Sequence, residues 1–546
     1  MEKENIENNK GVFASTCSSI INGVISMFLL AVVVLVPLIY NNSYFDILET
    51  KYRCFYISVL AMLSVLLILS FVMLIIDKKE FQGEHAREFI CRMSWKKLGV
   101  ADVAVMIFWA MCAISTWQSE YVYESFWGNE GRFSGLFLIT LYVVTYFIVS
   151  RLWKGNKLVL WAFLIAGMIV CGIGITDYFQ LDILHFRKRI KPDQSIFFTS
   201  TIGNINTYTA YVALVMGVSA ALFVTERNRL KVFCYYMCMT ISFFAIILGC
   251  SDNAYLALGA LFAFLPLLVF RTKKGVFRYT VMMATFITVI QCIDLINQKY
   301  TDMVIGLDSL FQILVNLPVL WFLVFGMWLF VLVVYKSLYG KIFRTTKAGT
   351  DVDCDKMNTI LLKVWSIFLL VGAVGIVFIM VDANFLGNGM RYGALEKYLV
   401  FNDQWGTKRG YIWKKSIQLY RNFPLLHKLF GYGPDTFGIM TTKKFIAEMV
   451  DTTGQIFDNA HNEYLNYLLT IGPIGVVAYM LFLLCNCLKM ASGWLRNREN
   501  SSLIIGCMFA VVCYSFQAIV NLNLPIATPI MWVLMSMGVA SMRNAA

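Results

Sequence analysis

The chain has 546 residues, of which 59% are hydrophobic, 15% aromatic and only 14% charged, and its net charge is +13. An ordinary soluble domain carries about 25% charged residues, so a soluble core is excluded. Nucleic-acid binding is not needed to explain the positive excess, because loop charges on one side of a membrane account for it. Fourteen cysteines do not make a disulfide framework: Cys112, Cys171, Cys234, Cys238, Cys292, Cys485, Cys487, Cys507 and Cys513 lie inside apolar runs, and no CxxC or Cys/His metal spacing occurs.

The polar start MEKENIENNKG precedes an apolar run with no cleavage site after it, which predicts an anchor rather than a removed signal peptide. A span needs about 20 apolar residues, and the chain offers about fourteen such runs. In chain order they are Ile20–Ile39, Phe55–Ile76, Gly99–Trp117, Gly135–Val149, Leu158–Ile175, Tyr208–Val224, Val232–Leu248, Ala254–Phe270, Tyr279–Ile296, Phe311–Tyr335, Leu361–Val381, Ile474–Cys487, Leu503–Leu522 and Ile526–Met542. Lysine and arginine mark alternate loops: Lys78, Lys79, Arg87, Arg92, Lys96 and Lys97 in the first, then Arg151/Lys154/Lys157, Arg227/Arg229/Lys231, Arg271/Lys273/Lys274/Arg278, the stretch Lys336–Lys363, and Lys489/Arg496/Arg498. By the positive-inside rule both termini are cytoplasmic. The expected fold is therefore an all-α polytopic membrane helix bundle with a large helical outer loop. Its expected divisions are an N-terminal bundle over 1–381, an extracytoplasmic catalytic loop over 382–472 and C-terminal spans over 473–546.

Two outward segments are unusually basic. FRKRIKPD carries Arg187, Lys188, Arg189 and Lys191, which reads either as charge tolerated in an outer loop or as an anion site for phosphate or pyrophosphate. The segment Asp382–Gly472 holds ten lysines and arginines against eight acids, and two of the four histidines in the chain. Within it, Tyr411–Arg421 has helical period, with Ile412, Trp413, Ile417 and Tyr420 as an apolar stripe and Lys414, Lys415, Gln418 and Arg421 opposite. Such a helix can lie in the membrane interface. Arg409 opens it, where a cation opposes the helix dipole, so helix stability does not explain this arginine. Pro424 ends the helix, and the turn Gly431-Tyr-Gly-Pro434-Asp-Thr436-Phe starts another, with Pro434 suited to its first position. A third helix is expected from the cap Asp458-Asn459, with His461 in its first turn. There the dipole favours neutral imidazole, able to accept a proton. Gly472 ends that helix and Pro473 starts the next span.

The run RGYIWKKSIQLYRNFPLLHKLFGYGPDTF, followed by AHNEYLNYLLTIGPIG, resembles the O-antigen ligase and O-antigen polymerase family. The matching positions are Arg409 and Trp413, Gly431-Gly433-Pro434-Phe437, His461-Asn462-Leu465, and Gly472-Gly475. Two earlier pieces are similar to the family as well: GNEGRFSGL, with Arg132, and TIGNINTYTAYVAL, with Gly203, Asn204 and Asn206. One departure stands out. Many members carry a Ser-Arg pair at the outer end of the following span, where this chain has Cys250-Ser251-Asp252-Asn253. That arginine's role is then either absent or supplied elsewhere, by Arg132 or by the Arg187–Lys191 cluster.

The resemblance implies a GT-C-like, inverting glycosyltransferase with no cofactor. Since no Asp-x-Asp pair stands at an outer loop start, Asp252-Asn253 being the nearest approximation, a metal-independent enzyme is expected. It would move a glycan from a polyprenyl pyrophosphate carrier to a glycan, lipid or wall-polymer hydroxyl at the outer face of a bacterial cytoplasmic membrane. His461 would be the base and Arg409 would stabilise the departing pyrophosphate. Arg132, Asn204, Asn462, Trp413, Arg187 and Arg189 are expected to bind substrate. Ligase and polymerase activity both fit these motifs. A transporter or flippase is the reading of another class; it would call for ionisable residues at mid-membrane, whereas the polar constellations here cluster in outward loops. A non-catalytic glycan-binding or scaffold role also remains open.

Overall fold

A computed structural model describes residues 2–84, 87, 98–307, 310–339, 359–496 and 502–545. Arg92, Lys96, Lys97 and Lys347, used above to assign sidedness, lie outside the described residues. The described residues are all-α apart from a two-residue antiparallel pairing of Phe198–Thr199 with Gly203–Asn204.

The long helices follow the apolar runs. They are α1 (Glu2–Leu38), α2 (Ile47–Glu80), α3 (Val100–Trp117), α4 (Leu136–Leu152), α5 (Lys157–Tyr178), α6 (Ile205–Thr225), α7 (Arg229–Leu248), α8 (Asn253–Val269), α9 (Lys273–Lys299), α10 (Leu320–Tyr339) and α11 (Ile360–Asn384). The segment 382–472 adds α12 (Trp405–Arg421), α13 (Leu425–Phe430) and α14 (Phe437–Thr453), and the chain ends in α15 (Glu463–Arg496), α16 (Ser502–Gln517) and α17 (Thr528–Ala545). Among the described residues, eleven helices are long and apolar enough to cross a membrane, and α4 and α8 are shorter apolar helices. The run read as Phe311–Tyr335 is two helices, Leu310–Val315 and α10. Pro318 lies in the gap, where it has no N–H to carry a helix through.

Packing explains why some of these helices show no amphipathic pattern. Every residue of α6 from Thr207 to Val224 is buried, so α6 is the bundle's centre and is apolar all round. A Cβ on its Gly217 would sit 2.5 Å from the Phe509 carbonyl oxygen of α16, so the two backbones approach as closely as glycine permits. At the other extreme, α10 and α11 are almost wholly exposed along their apolar lengths, as helices facing lipid would be. Lys51, fully buried at the start of α2, donates to the carbonyls of Val36 (2.7 Å), Pro37 (3.0 Å) and Ile39 (2.9 Å) and so caps the end of α1. At the opposite end of the bundle, the buried Asp102 of α3 accepts from Arg543 of α17 at 3.2 Å and from Tyr146 of α4 at 3.1 Å.

The segment 382–472 has its own small core. Tyr411, Ile412, Leu419, Phe423, Phe437, Met440, Phe445, Met449, Phe457, Ala460 and Leu469 cluster together. The buried face of α12 keeps Ile412, Trp413 and Tyr420 of the stripe read from periodicity but not Ile417. Ile417 is 45% exposed, while Tyr411 and Leu419 are buried in its stead. The supposed polar face is also partly engaged: Lys415 pairs with Glu448 at 2.5 Å and lies over the rings of Tyr411 and Phe445.

Candidate active site

Helix α12 is regular only from Arg409 onward, because Gly406, Thr407 and Lys408 take positive φ. Arg409 thus stands at the true helix start, as expected, but it is buried and not interfacial. One of its nitrogens lies 3.6 Å from a carboxylate oxygen of Asp252, at the start of α8. Its Nε is buried with no partner in the structure. Asp252 occupies the corner where the Ser-Arg pair of the resembling family falls, so the guanidinium reaching that corner comes from α12. Behind Asp252 lies an amide network. Asn253 donates to the Asn206 carbonyl (2.8 Å) and to Gln517 (3.1 Å), and Asn521 donates to the same two acceptors (2.9 and 2.6 Å).

Arg132 arrives from the loop between the short helix Val122–Trp127 and α4. Its Nε donates to Asp458 at 2.9 Å and its Nη2 pairs with the second oxygen of that carboxylate. Asp458 is thus a partner of Arg132 and not a helix cap. The loop is held in turn by Asp435 of the GYGPDTF turn, whose Oδ2 accepts the backbone N–H of Asn129 at 2.7 Å and of Ser134 at 3.0 Å. That turn does not start its helix at Pro434. Gly433 has φ 112° and Asp435 has φ 62°, so helical geometry begins only at α14.

His461 lies between these groups, two residues before α15 and not in its first turn. Its φ of 47° is left-handed and cannot continue a helix. The cap is Asn462, whose Oδ1 accepts the N–H of Leu465 at 2.9 Å, while Asn459 accepts the N–H of His461 itself at 2.9 Å. Trp413 donates its indole N–H to the carbonyl of Ala460 at 2.9 Å and so fixes the residue before the histidine. The His461 ring meets Phe457 edge to face, and neither ring nitrogen is hydrogen-bonded among the described residues. Neutral imidazole results, but not from a helix dipole. Burial first, then the charges of Arg409 and Arg132, push the imidazole down to about 3, against a weaker opposing pull from Asp458. Phe133, Cys250, Thr407, Lys408, Asp435 and His461 all have left-handed φ, so strained backbone gathers in the segments that build this corner.

The remaining expected residues lie elsewhere or hold the backbone. Arg187 donates to the carbonyls of Asp177 (2.9 Å) and Phe198 (2.8 Å), and Arg189 contacts Asn42 at 3.1 Å. No described contact joins them to His461. Asn204 caps α6 through the N–H of Asn206. Asp252, Asp435, Asp458 and Glu463 were not picked out as site residues from the sequence. Only their position beside the recognised motifs hinted at them.

Glu463 is the most enclosed of these acids. It is buried, and its carboxyl accepts from Tyr479 at 2.8 Å and from Tyr514 at 3.3 Å.

Comparison with known proteins adds one match. Residues 303–480 match the family model described as O-antigen ligase. The match spans Arg409, Trp413, the GYGPDTF turn and His461, and excludes Arg132 and Asn204. No curated protein matches the chain.

Proposed function

We propose that this multi-pass membrane protein, whose residues 303–480 match the O-antigen ligase family model, transfers a glycan from a polyprenyl pyrophosphate carrier to an acceptor hydroxyl. The observation that carries this reading is the convergence of Arg409, Arg132 and His461. They come from three distant segments, the two arginines each with a carboxylate partner, onto one corner at the outer-loop end of the bundle.

The chemistry follows from the charges. Leaving pyrophosphate accumulates negative charge, which buried guanidinium groups stabilise more strongly than they would in water. Arg409 holds a planar fork toward that charge, a geometry that lysine lacks. The acceptor hydroxyl must lose its proton as it attacks the anomeric carbon, and neutral His461 takes it. In the empty protein burial first, and then the two guanidiniums, make that imidazole a weak base. A bound pyrophosphate offsets their charge, so His461 gains basicity when the donor is in place. Attack by the acceptor on the face opposite the leaving group inverts the anomeric centre. The reading needs no divalent metal, so transfer should survive EDTA.

The test uses purified full-length protein with a carrier-linked glycan. His461→Ala should leave donor-analogue binding nearly intact and lower turnover by about 10²-fold or more. Arg409→Ala should weaken donor binding. A His461→Ala protein transferring at the wild-type rate would refute the site. Ligase and polymerase are separated by what accumulates in cells lacking the protein: long carrier-linked chains for a ligase, single repeat units for a polymerase.

A further inference from the structure

Helix α15 is broken at Gly472, which has φ 74° and ψ 173°. A Cβ there would collide with the carbonyl of Leu429, and the following Pro473 has no N–H to bridge the break. In an unbroken helix residues 463 and 479 would be about 24 Å apart along the axis. Instead Tyr479 donates to Glu463 at 2.8 Å, and the rings of Tyr467 and Tyr479 are 5.1 Å apart. Phe108 of α3 touches both tyrosines, at 5.6 and 5.1 Å. The arm before Gly472 is therefore folded back along the arm after it, and its first residue lies deep among the helices.

That first residue is fastened on several sides. The second oxygen of Glu463 accepts from Tyr514 of α16, whose hydroxyl also meets Thr528 at the start of α17 at 2.7 Å. Tyr464 donates to the carbonyl of Ser515 at 2.7 Å, which ties the next residue to α16 as well. His461, two residues earlier, has no side-chain hydrogen bond of its own among the described residues, so its placement is inherited from the chain on either side. Trp413 fixes that chain in front, through Ala460. Behind it, Asn462 only caps its own helix through the N–H of Leu465, and the first side chain tied across to another part of the bundle is Glu463.

Resting on the transferase reading above, we propose that Glu463 is a positioning residue that holds the folded-back arm and thereby aims the His461 imidazole at the acceptor hydroxyl. A carboxyl suits this task because two hydroxyl donors, on different helices, approach its two oxygens. Glutamine offers one acceptor oxygen and turns an N–H₂ toward the other hydroxyl.

The test is a mutant cycle on the purified full chain: Glu463→Gln, His461→Ala and both together, with initial rates over a range of donor concentrations. Glu463→Gln should lower kcat about 10–100-fold, the scale expected of a small misplacement of a reacting group, with KM for the donor little changed. In the His461→Ala background it should cost nothing further, because a residue acting only through His461 has nothing left to position. An equal fractional loss in both backgrounds would assign Glu463 to general packing and overturn the proposal, and so would a wild-type rate. The Tyr479→Phe/Tyr514→Phe double variant keeps the acid, removes both donors and should reproduce the pattern; it carries the test if Glu463→Gln does not fold. A wild-type rate for His461→Ala alone would instead refute the site reading.

Discussion

Asp435 is the residue through which the Arg132 loop can be loosened without touching Arg132 or His461. Its Oδ2 alone accepts both backbone bonds, from Asn129 at 2.7 Å and Ser134 at 3.0 Å. Asp435→Ala leaves both N–H groups without that partner. A hydrogen bond to a charged group contributes about 1.5–3 kcal/mol when buried. These groups are only partly buried, so the low end applies and water recovers some of the loss, leaving about 2 kcal/mol of loop fixation removed. That corresponds to at most about 30-fold in affinity for a donor that requires the loop in place. Asp435→Asn can keep both bonds on its amide oxygen and should cost far less. The pH dependence separates charge from shape. Burial pushes the Asp435 carboxyl up to about 7, although the N–H groups of Ser134 and Asn129 and the charge of Arg132 pull it down. A carboxyl raised in the folded state binds its proton more tightly there than when unfolded, so its contribution to stability is fully present below the unfolded value near 3.9 and is lost as pH rises toward 7. The thermal stability of Asp435→Asn relative to wild type should therefore improve between pH 5 and pH 8. The assays are thermal unfolding in detergent and donor-analogue binding. Asp435→Ala protein that binds donor as wild type does, or an Asn variant that loses ground as pH rises, would refute the reasoning.

The acid limb of kcat/KM, which reports the free enzyme, should show no group near 6.5, because His461 is held at about 3 by burial, Arg409 and Arg132. The acid limb of kcat should lie higher, since bound pyrophosphate offsets those charges; limbs that coincide near 6.5 would count against the site. Arg409→Lys should restore only part of the donor binding lost in Arg409→Ala. Lys414→Ala, which breaks an exposed pair with Asp403 and a contact over the Phe401 ring, should be near neutral in rate, whereas Lys415→Ala should lower stability through its contacts with Glu448, Tyr411 and Phe445. Sidedness is checked by an impermeant thiol reagent on intact cells, in a background free of native cysteines: Lys397→Cys should label and Lys347→Cys should not, and the reverse would invert the proposed topology.

Span placement was legible because it depends on short-range properties. Twenty or so apolar residues in a row must be helical and removed from water wherever they sit, and the observed long helices follow the runs read from the sequence. Local starts and breaks were partly legible for the same reason: the entry of Arg409 into its helix, the stop before Pro424 and the break at Gly472 each depend on a few neighbouring residues, whereas the starts expected at Pro434 and at Asp458-Asn459 lie elsewhere. The tertiary structure decided what depends on partners far along the chain. Arg132 meets Asp458 across 326 positions, and Arg409 meets Asp252 from another helix. Periodicity describes one helix at a time and cannot say which side chain a second helix will present. For that reason it chose Ile417 over Tyr411 and Leu419 as a buried residue, and gave His461 to a helix that begins two residues later. Burial is likewise a property of the packed bundle. The dipole argument reached neutral imidazole by a local route, but desolvation and two distant arginines are what produce it. The folded-back arm from Glu463 is the extreme case: HNEYLNYLLTIGPIG places a break at Gly472 but not the direction the chain takes after it, which is set by packing that brings Tyr479 and Tyr514 to Glu463.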